Sequence, residues 1–303
     1  MSTATPAFSL DEFQRTLIYQ REATPAEVQS DMQQLLSLDK AMEVEEAKWR
    51  KRTTALGCTT ALMLFGTIAG SVVGGPVLGV LAGLIFIGLL VSAIVSGSNL
   101  SKYSRLNLEN RRYASVAAIL KYVGRDMAPD APVSVRIDFN SYLDARFVSS
   151  SSPAGLFGSV SSKSFKVPWL ALSGKLIDGS RFDLSALILG KRKEKRKRKY
   201  TKVREGFRER VALSLAVKAA KYPTLAELPA RLQATNPPTP FQPMGIRVDG
   251  NVIQLIGTTN PHNRLFGRGQ TVVKTAPSES FSKLDDFLQL FLLAYHGLEL
   301  CRE

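Results

Sequence analysis

The chain has 303 residues, 45% of them apolar, and a formal net charge of +14. That length supports one or two domains with cores of their own, and that apolar fraction excludes a chain too polar to fold. Its two cysteines, Cys58 and Cys301, exclude a disulfide framework.

Residues 1–52 hold seven Lys/Arg and nine Asp/Glu, so this arm is slightly acidic. Ser9-Leu-Asp-Glu12 and Thr24-Pro-Ala-Glu27 match the capping box that opens a helix, and Pro25 suits a first helical position. Val28, Met32, Leu35, Leu36 and Met42 then recur at helical spacing. A cytosolic helical arm is expected over 1–52, its second helix running on into the next segment.

From Thr53 to Ser101 there is no Asp, Glu, Lys or Arg, a run of 49 residues. A helix needs about 20 apolar residues to cross a bilayer, so this run is long enough for two. Gly74-Gly75-Pro76 at its centre reads as a turn. The expectation is a transmembrane hairpin over 53–101, with spans at 54–73 and 77–96. Lys48, Arg50, Lys51 and Arg52 precede it, Lys102, Arg105, Arg111 and Arg112 follow it, and the turn carries no charge. The positive-inside rule then places both termini in the cytoplasm of a multi-pass inner or plasma membrane protein. Gly66, Gly70 and Gly74, and again Gly75, Gly79 and Gly83, repeat every four residues. Such rows let helix backbones approach. Their expected role is packing the hairpin on itself; the alternative is contact with a second copy of the chain.

Residues 102–128 continue helically as a stalk, with Leu106, Tyr113, Val116, Leu120 and Val123 on one face and Gly124 as the stop. From Val133 the apolar period falls to two, and Asp178-Gly179 and Asp249-Gly250 read as hairpin turns. Strands are expected at 133–140, 165–176, 181–189, 211–217, 245–248, 252–256 and 270–275. Helices are expected at 224–232 and 278–300, the last covering the sheet. The fold class is therefore an α+β membrane protein. Its cytosolic domain, 129–303, is expected to be an antiparallel curled sheet or small barrel with a packed C-terminal helix.

The chain carries no Walker loop, no GxSxG and no HExxH, and His262 and His296 have no second ligand at metal spacing. No enzyme activity, cofactor or metal is expected. The sharpest feature is basic: Lys191 to Arg210 holds twelve Lys/Arg and three Glu. It is expected at the tip of a long hairpin. Lys191, Arg192, Lys193, Lys195 and Arg196, with Lys197, Arg198, Lys199 and Lys202, are the candidate contacts to anionic lipid or nucleic acid. Only Tyr200 and Phe207 are near for base stacking, which disfavours base reading. Leu156 and Phe157, in the serine-rich loop 149–162, are candidates for a partner or membrane contact. The function expected is a membrane-anchored, non-enzymatic scaffold or regulator whose basic face lies on anionic lipid. The alternatives are a ligand-sensing two-span effector of the defence type and a membrane tether for nucleic acid.

Overall fold

The computed structural model describes residues 8–73, 75–152, 160–196, 201–235, 243–258, 262–266 and 284–302. The chain divides into two compact units, one of Gln33–Asn110 and one of Met1–Met32 with Arg111–Glu303.

In the second of these, Ser9 caps helix α1 (Leu10–Thr16) by accepting the Glu12 N–H at 3.4 Å. The box at Thr24 closes as its sequence requires. The Thr24 N–H donates to Glu27 Oε2 at 2.9 Å, and the Glu27 N–H donates to Thr24 Oγ1 at 3.4 Å. From there α2 runs Pro25–Val73 without a break. Between the two helices lies a strand that the helical reading of the arm did not include, β1 (Ile18–Ala23), paired antiparallel with β2 (Val133–Asp138). Tyr19 and Arg21 of β1 both donate to Asp31 on α2, at 2.7 and 2.6 Å.

The remaining strands are β3 (Val148–Ser152), β4 (Val160–Lys175), β5 (Arg181–Arg196), β6 (Thr201–Ala216), β7 (Pro243–Asp249), β8 (Val252–Thr258) and β9 (His262–Phe266). They form one antiparallel sheet in the order β1-β2-β4-β5-β6-β8-β7, with β3 added to β4 and β9 to β6. It is not closed. A barrel needs its end strands to pair, and here β1 and β7 stay at opposite edges, so the small-barrel alternative is set aside. Pro168 lies at a register shift between β4 and β5, where a missing donor is tolerated. The strand expected at 270–275 lies outside the described residues.

One face of the sheet is the core. Phe165, Val167 and Trp169 of β4 alternate inward with Phe182, Leu184 and Ile188 of β5 and Leu213 and Leu215 of β6. Helix α6 (Leu284–Leu300) covers this face, with Phe287 edge-on to Trp169 and Phe291 edge-on to Phe182. Helix α5 (Leu228–Thr235) places Leu228 and Leu232 against Gly297 of α6. Helix α4 (Asn110–Val123) buries Val116, Ile119 and Leu120. It also carries Arg111 and Arg112, counted among the positive charges that follow the apolar run. Arg111 donates to the fully buried Glu209 at 2.9 Å, and Arg112 is buried and donates to the Asp138 carbonyl. Trp169 Nε1 donates to the same Glu209.

The unit of residues 33–110 comprises most of α2 together with α3 (Gly75–Leu106). At its polar end Asp39, fully buried, accepts the Leu108 N–H at 2.7 Å, and Glu46 accepts from Arg50 at 2.6 Å and from Asn107 at 2.7 Å. Trp49 and Tyr103 stack with centroids 6.4 Å apart. Beyond this end the helices present bare apolar side chains, among them Leu62, Phe65, Val80, Leu84 and Ile94. Their hydroxyls are satisfied within the helix: Thr59, Thr60 and Ser92 each donate to the carbonyl four residues back. Among the described residues one helical stretch, within Gly83–Asp126, is long and apolar enough to span a membrane. Its mean hydropathy is 1.9, and 6% of it is buried.

Candidate anion-binding face

The described part of the basic run lies at the far end of the β5–β6 hairpin, in paired strand. Lys191–Arg196 is the end of β5, paired residue for residue with β4 and β6. Side chains alternate across a strand, so the run is divided between the two faces of the sheet. Lys191, Lys193 and Lys195 lie on the open face, exposed, opposite Gly206, Arg204 and Lys202 of β6. Arg192 points to the covered face, where its guanidinium lies 2.7 Å from Glu194 and 3.3 Å from the buried Glu205. It is ion-paired there, unlike the three lysines. Arg196 ends β5, while Lys197, Arg198 and Lys199 lie outside the described residues.

Four further cations join the open face: Lys166 of β4 and Arg204, Arg208 and Arg210 of β6, all exposed. The signal for the arginines was present in the sequence, because the even positions from 202 to 210 are basic or glycine while 205, 207 and 209 are not. Along β6 the cations span about 27 Å, and the three strands about 10 Å across. Within β4, β5 and β6 the first carboxylate on this face is Asp183, about 27 Å along the strand from Lys191. Among the described residues none of these cations is ion-paired.

The contrast between the two faces is physical. Carboxylates on the covered face are paired internally, because an unpaired charge there would lose its hydration uncompensated. The open face keeps its like charges adjacent, and they repel one another unless an anion lies on them. Between the cations lie Leu187, Leu189 and Ile256, half-buried. A cavity of about 260 Å³ opens there, lined by Leu189, Ile256, Arg208 and Arg210 among others. Phe207, one of the two rings near the basic run, is buried on the covered face, 4.6 Å from Tyr142.

The other candidates separate cleanly. Leu156 and Phe157 lie outside the described residues; the serines flanking them, expected as loop, are in β3 and β4. Gly66 and Gly83 lie in α2 and α3, and a Cβ at either would meet nothing within 4 Å among the described residues. The backbones of Gly70, Gly75 and Gly79 are helical, and Gly74 lies outside the described residues.

Comparison with family models, with curated proteins and with solved structures finds no match for this chain.

Proposed function

We propose that this is a membrane-anchored, non-enzymatic scaffold or regulator. In this reading two spans, within α2 and α3, hold the chain with both termini cytoplasmic, and the open face of the sheet rests on anionic lipid. The observation that carries the reading is the unneutralised band Lys191, Lys193, Lys195, Lys202, Arg204, Arg208 and Arg210, set among aliphatic side chains. Each Lys or Arg near an anionic leaflet contributes about 1 kcal/mol, so the band suffices to hold a folded unit against it. Headgroup phosphate suits Arg208 and Arg210, which flank the same cavity. No aromatic ring is found on this face among the described residues, which favours lipid over single-stranded nucleic acid. Apolar helices with so little burial fit a lipid surrounding.

The test uses full-length protein in neutral-lipid nanodiscs. It should capture phosphatidylserine vesicles and release them as salt rises. Replacing Lys191, Lys193, Arg204 and Arg208 with Gln should weaken capture by roughly 10²–10³-fold. Reporters fused at residues 1 and 303 should both read cytoplasmic. Preference for DNA or RNA over vesicles at matched salt would replace this reading with the nucleic-acid tether, and a non-cytoplasmic terminus would remove the two-span topology.

A further inference from the structure

We infer that the sheet-bearing unit holds a second site of opposite sign: a cavity for a small organic ammonium ion, where the β4–β5 turn meets the C-terminal end of α6. The inference does not rest on the lipid reading.

The cavity has a volume of about 300 Å³, at the lower end of the range for ligand sites. Its lining is apolar at depth, from Leu176, Leu215 and Leu298, all buried. Tyr222 and Tyr295 contribute aromatic surface. Asp126, Asp178 and Glu299 supply three carboxylates against one guanidinium, Arg302, which lies 3.9 Å from Glu299. In a chain of net charge +14 this is a local reversal of sign.

Two of the carboxylates are held in place by hydrogen bonds. Asp178 is fixed by the Ser180 N–H and hydroxyl, each at 2.8 Å. Asp126 accepts the Tyr295 hydroxyl at 3.2 Å. Neither has an ion-pair partner among the described residues. Lys218 lies beside Gly179 of the same turn yet makes no ion pair with Asp178. Burial first, and the neighbouring carboxylates second, push both tyrosine hydroxyls above their ordinary range. They remain neutral and can turn a ring face or an oxygen to a cation. The C-terminal end of α6 adds partial negative charge at the same place.

These features select among ligands. An anion would face two unpaired carboxylates. A neutral apolar molecule would strip water from them and return nothing. A bare metal ion would find no cluster of ligating side chains among the described residues. An ammonium group on an apolar body satisfies both parts: the charge meets Asp126 and Asp178, and the body meets the leucines.

The experiment uses full-length protein in nanodiscs and three probes of one shape: phenethylammonium, neutral phenethyl alcohol and anionic 3-phenylpropionate. Calorimetry should show phenethylammonium binding at least about tenfold more tightly than the alcohol, with no binding of the acid. Asp126→Asn keeps an acceptor for Tyr295 on an exposed side chain, so the fold should hold. It should weaken cation binding about tenfold and leave the alcohol unchanged. Asp178→Asn should do the same, with circular dichroism checking the turn. Substituting the basic face with Gln should leave cation affinity unchanged. Equal binding of all three probes, no binding of the cation, or cation binding unmoved by both Asp substitutions would each overturn the inference.

Discussion

Phe65 and Trp169 are both large aromatic side chains in regular structure, yet Phe65 on α2 is 71% exposed and Trp169 on β4 has no exposed surface. The same contrast holds for their neighbours. Around Trp169 the polar groups pair inside the unit: its indole donates to Glu209, Glu209 takes Arg111, and Phe287 packs across the ring. Around Phe65 the helix satisfies its own hydroxyls and leaves its apolar side chains bare. The hydrophobic effect acts equally on both, so the difference lies in what supplies the cover. The sheet unit carries its own. The helical unit, among the described residues, does not, and one stretch of it within Gly83–Asp126 is long and apolar enough to span a membrane.

The largest test of this contrast is a matched pair of truncations. Trp169→Ala should cost about 3–5 kcal/mol, because it opens a cavity in a closed core and leaves Glu209 short of a donor. Leu84→Ala on α3 should cost about 0.5 kcal/mol or less. Denaturant unfolding of the full-length protein in detergent, followed by far-UV circular dichroism, reads both. Equal losses would mean that Leu84 has a packed neighbour and that the contrast is false.

Glycine gives a second matched pair. A Cβ at Gly190 would stand 2.7 Å from the ring of Phe207, its cross-strand partner, which is itself held against Tyr142. Gly190→Ala should therefore cost about 1–3 kcal/mol. Gly83→Ala meets nothing within 4 Å among the described residues and should leave stability unchanged. If Gly83→Ala instead removes a crosslinked higher-order species, the glycine row of α3 faces a second copy of the chain, and the missing cover is protein rather than lipid.

How much of this was legible from sequence follows from the range of the interactions. The caps were, since Ser9 with Glu12 and Thr24 with Glu27 act within one turn. So were the Asp178-Gly179 and Asp249-Gly250 hairpins, where Gly179 and Gly250 take positive φ. Strand β1 was not. It is six residues between two strong helix starts, and its partner β2 lies more than a hundred residues on. The basic band was found, but its division between two faces was not. Charges at every position from Lys191 to Lys199 hide the period of two, and only pairing with β4 and β6 shows that Arg192 turns away from Lys191 and Lys193. The partners of Arg111 and Arg112 were not legible, because Glu209 and Asp138 are remote in sequence. The ammonium cavity left no motif, since Asp126, Asp178, Tyr222 and Tyr295 converge only in the fold.

The smallest expected effect sits at the start of α2, the helix that begins in the sheet unit and ends among bare apolar side chains. Two hydrogen bonds from Thr24, backbone first and hydroxyl second, hold the Glu27 carboxyl below its ordinary value of 4.5. A depressed carboxylate favours the folded state fully above the unfolded pKa, and that contribution is lost as pH falls through the lower folded value. Thr24→Ala should cost about 1 kcal/mol at neutral pH. Glu27→Gln should lower neutral stability slightly, because this side chain is exposed and screened, and leave stability below the acid limb unchanged, so that the limb flattens. Thermal melts of parent and variants across that limb give the comparison. The loss should stay local to the first turn and the Tyr19–Asp31 contact, so the emission of Trp49, stacked on Tyr103, should not move. Were Trp49 emission to shift with Thr24→Ala, the first turn would be acting along the whole helix. The two regions would then respond as one body rather than as two ways of covering apolar surface.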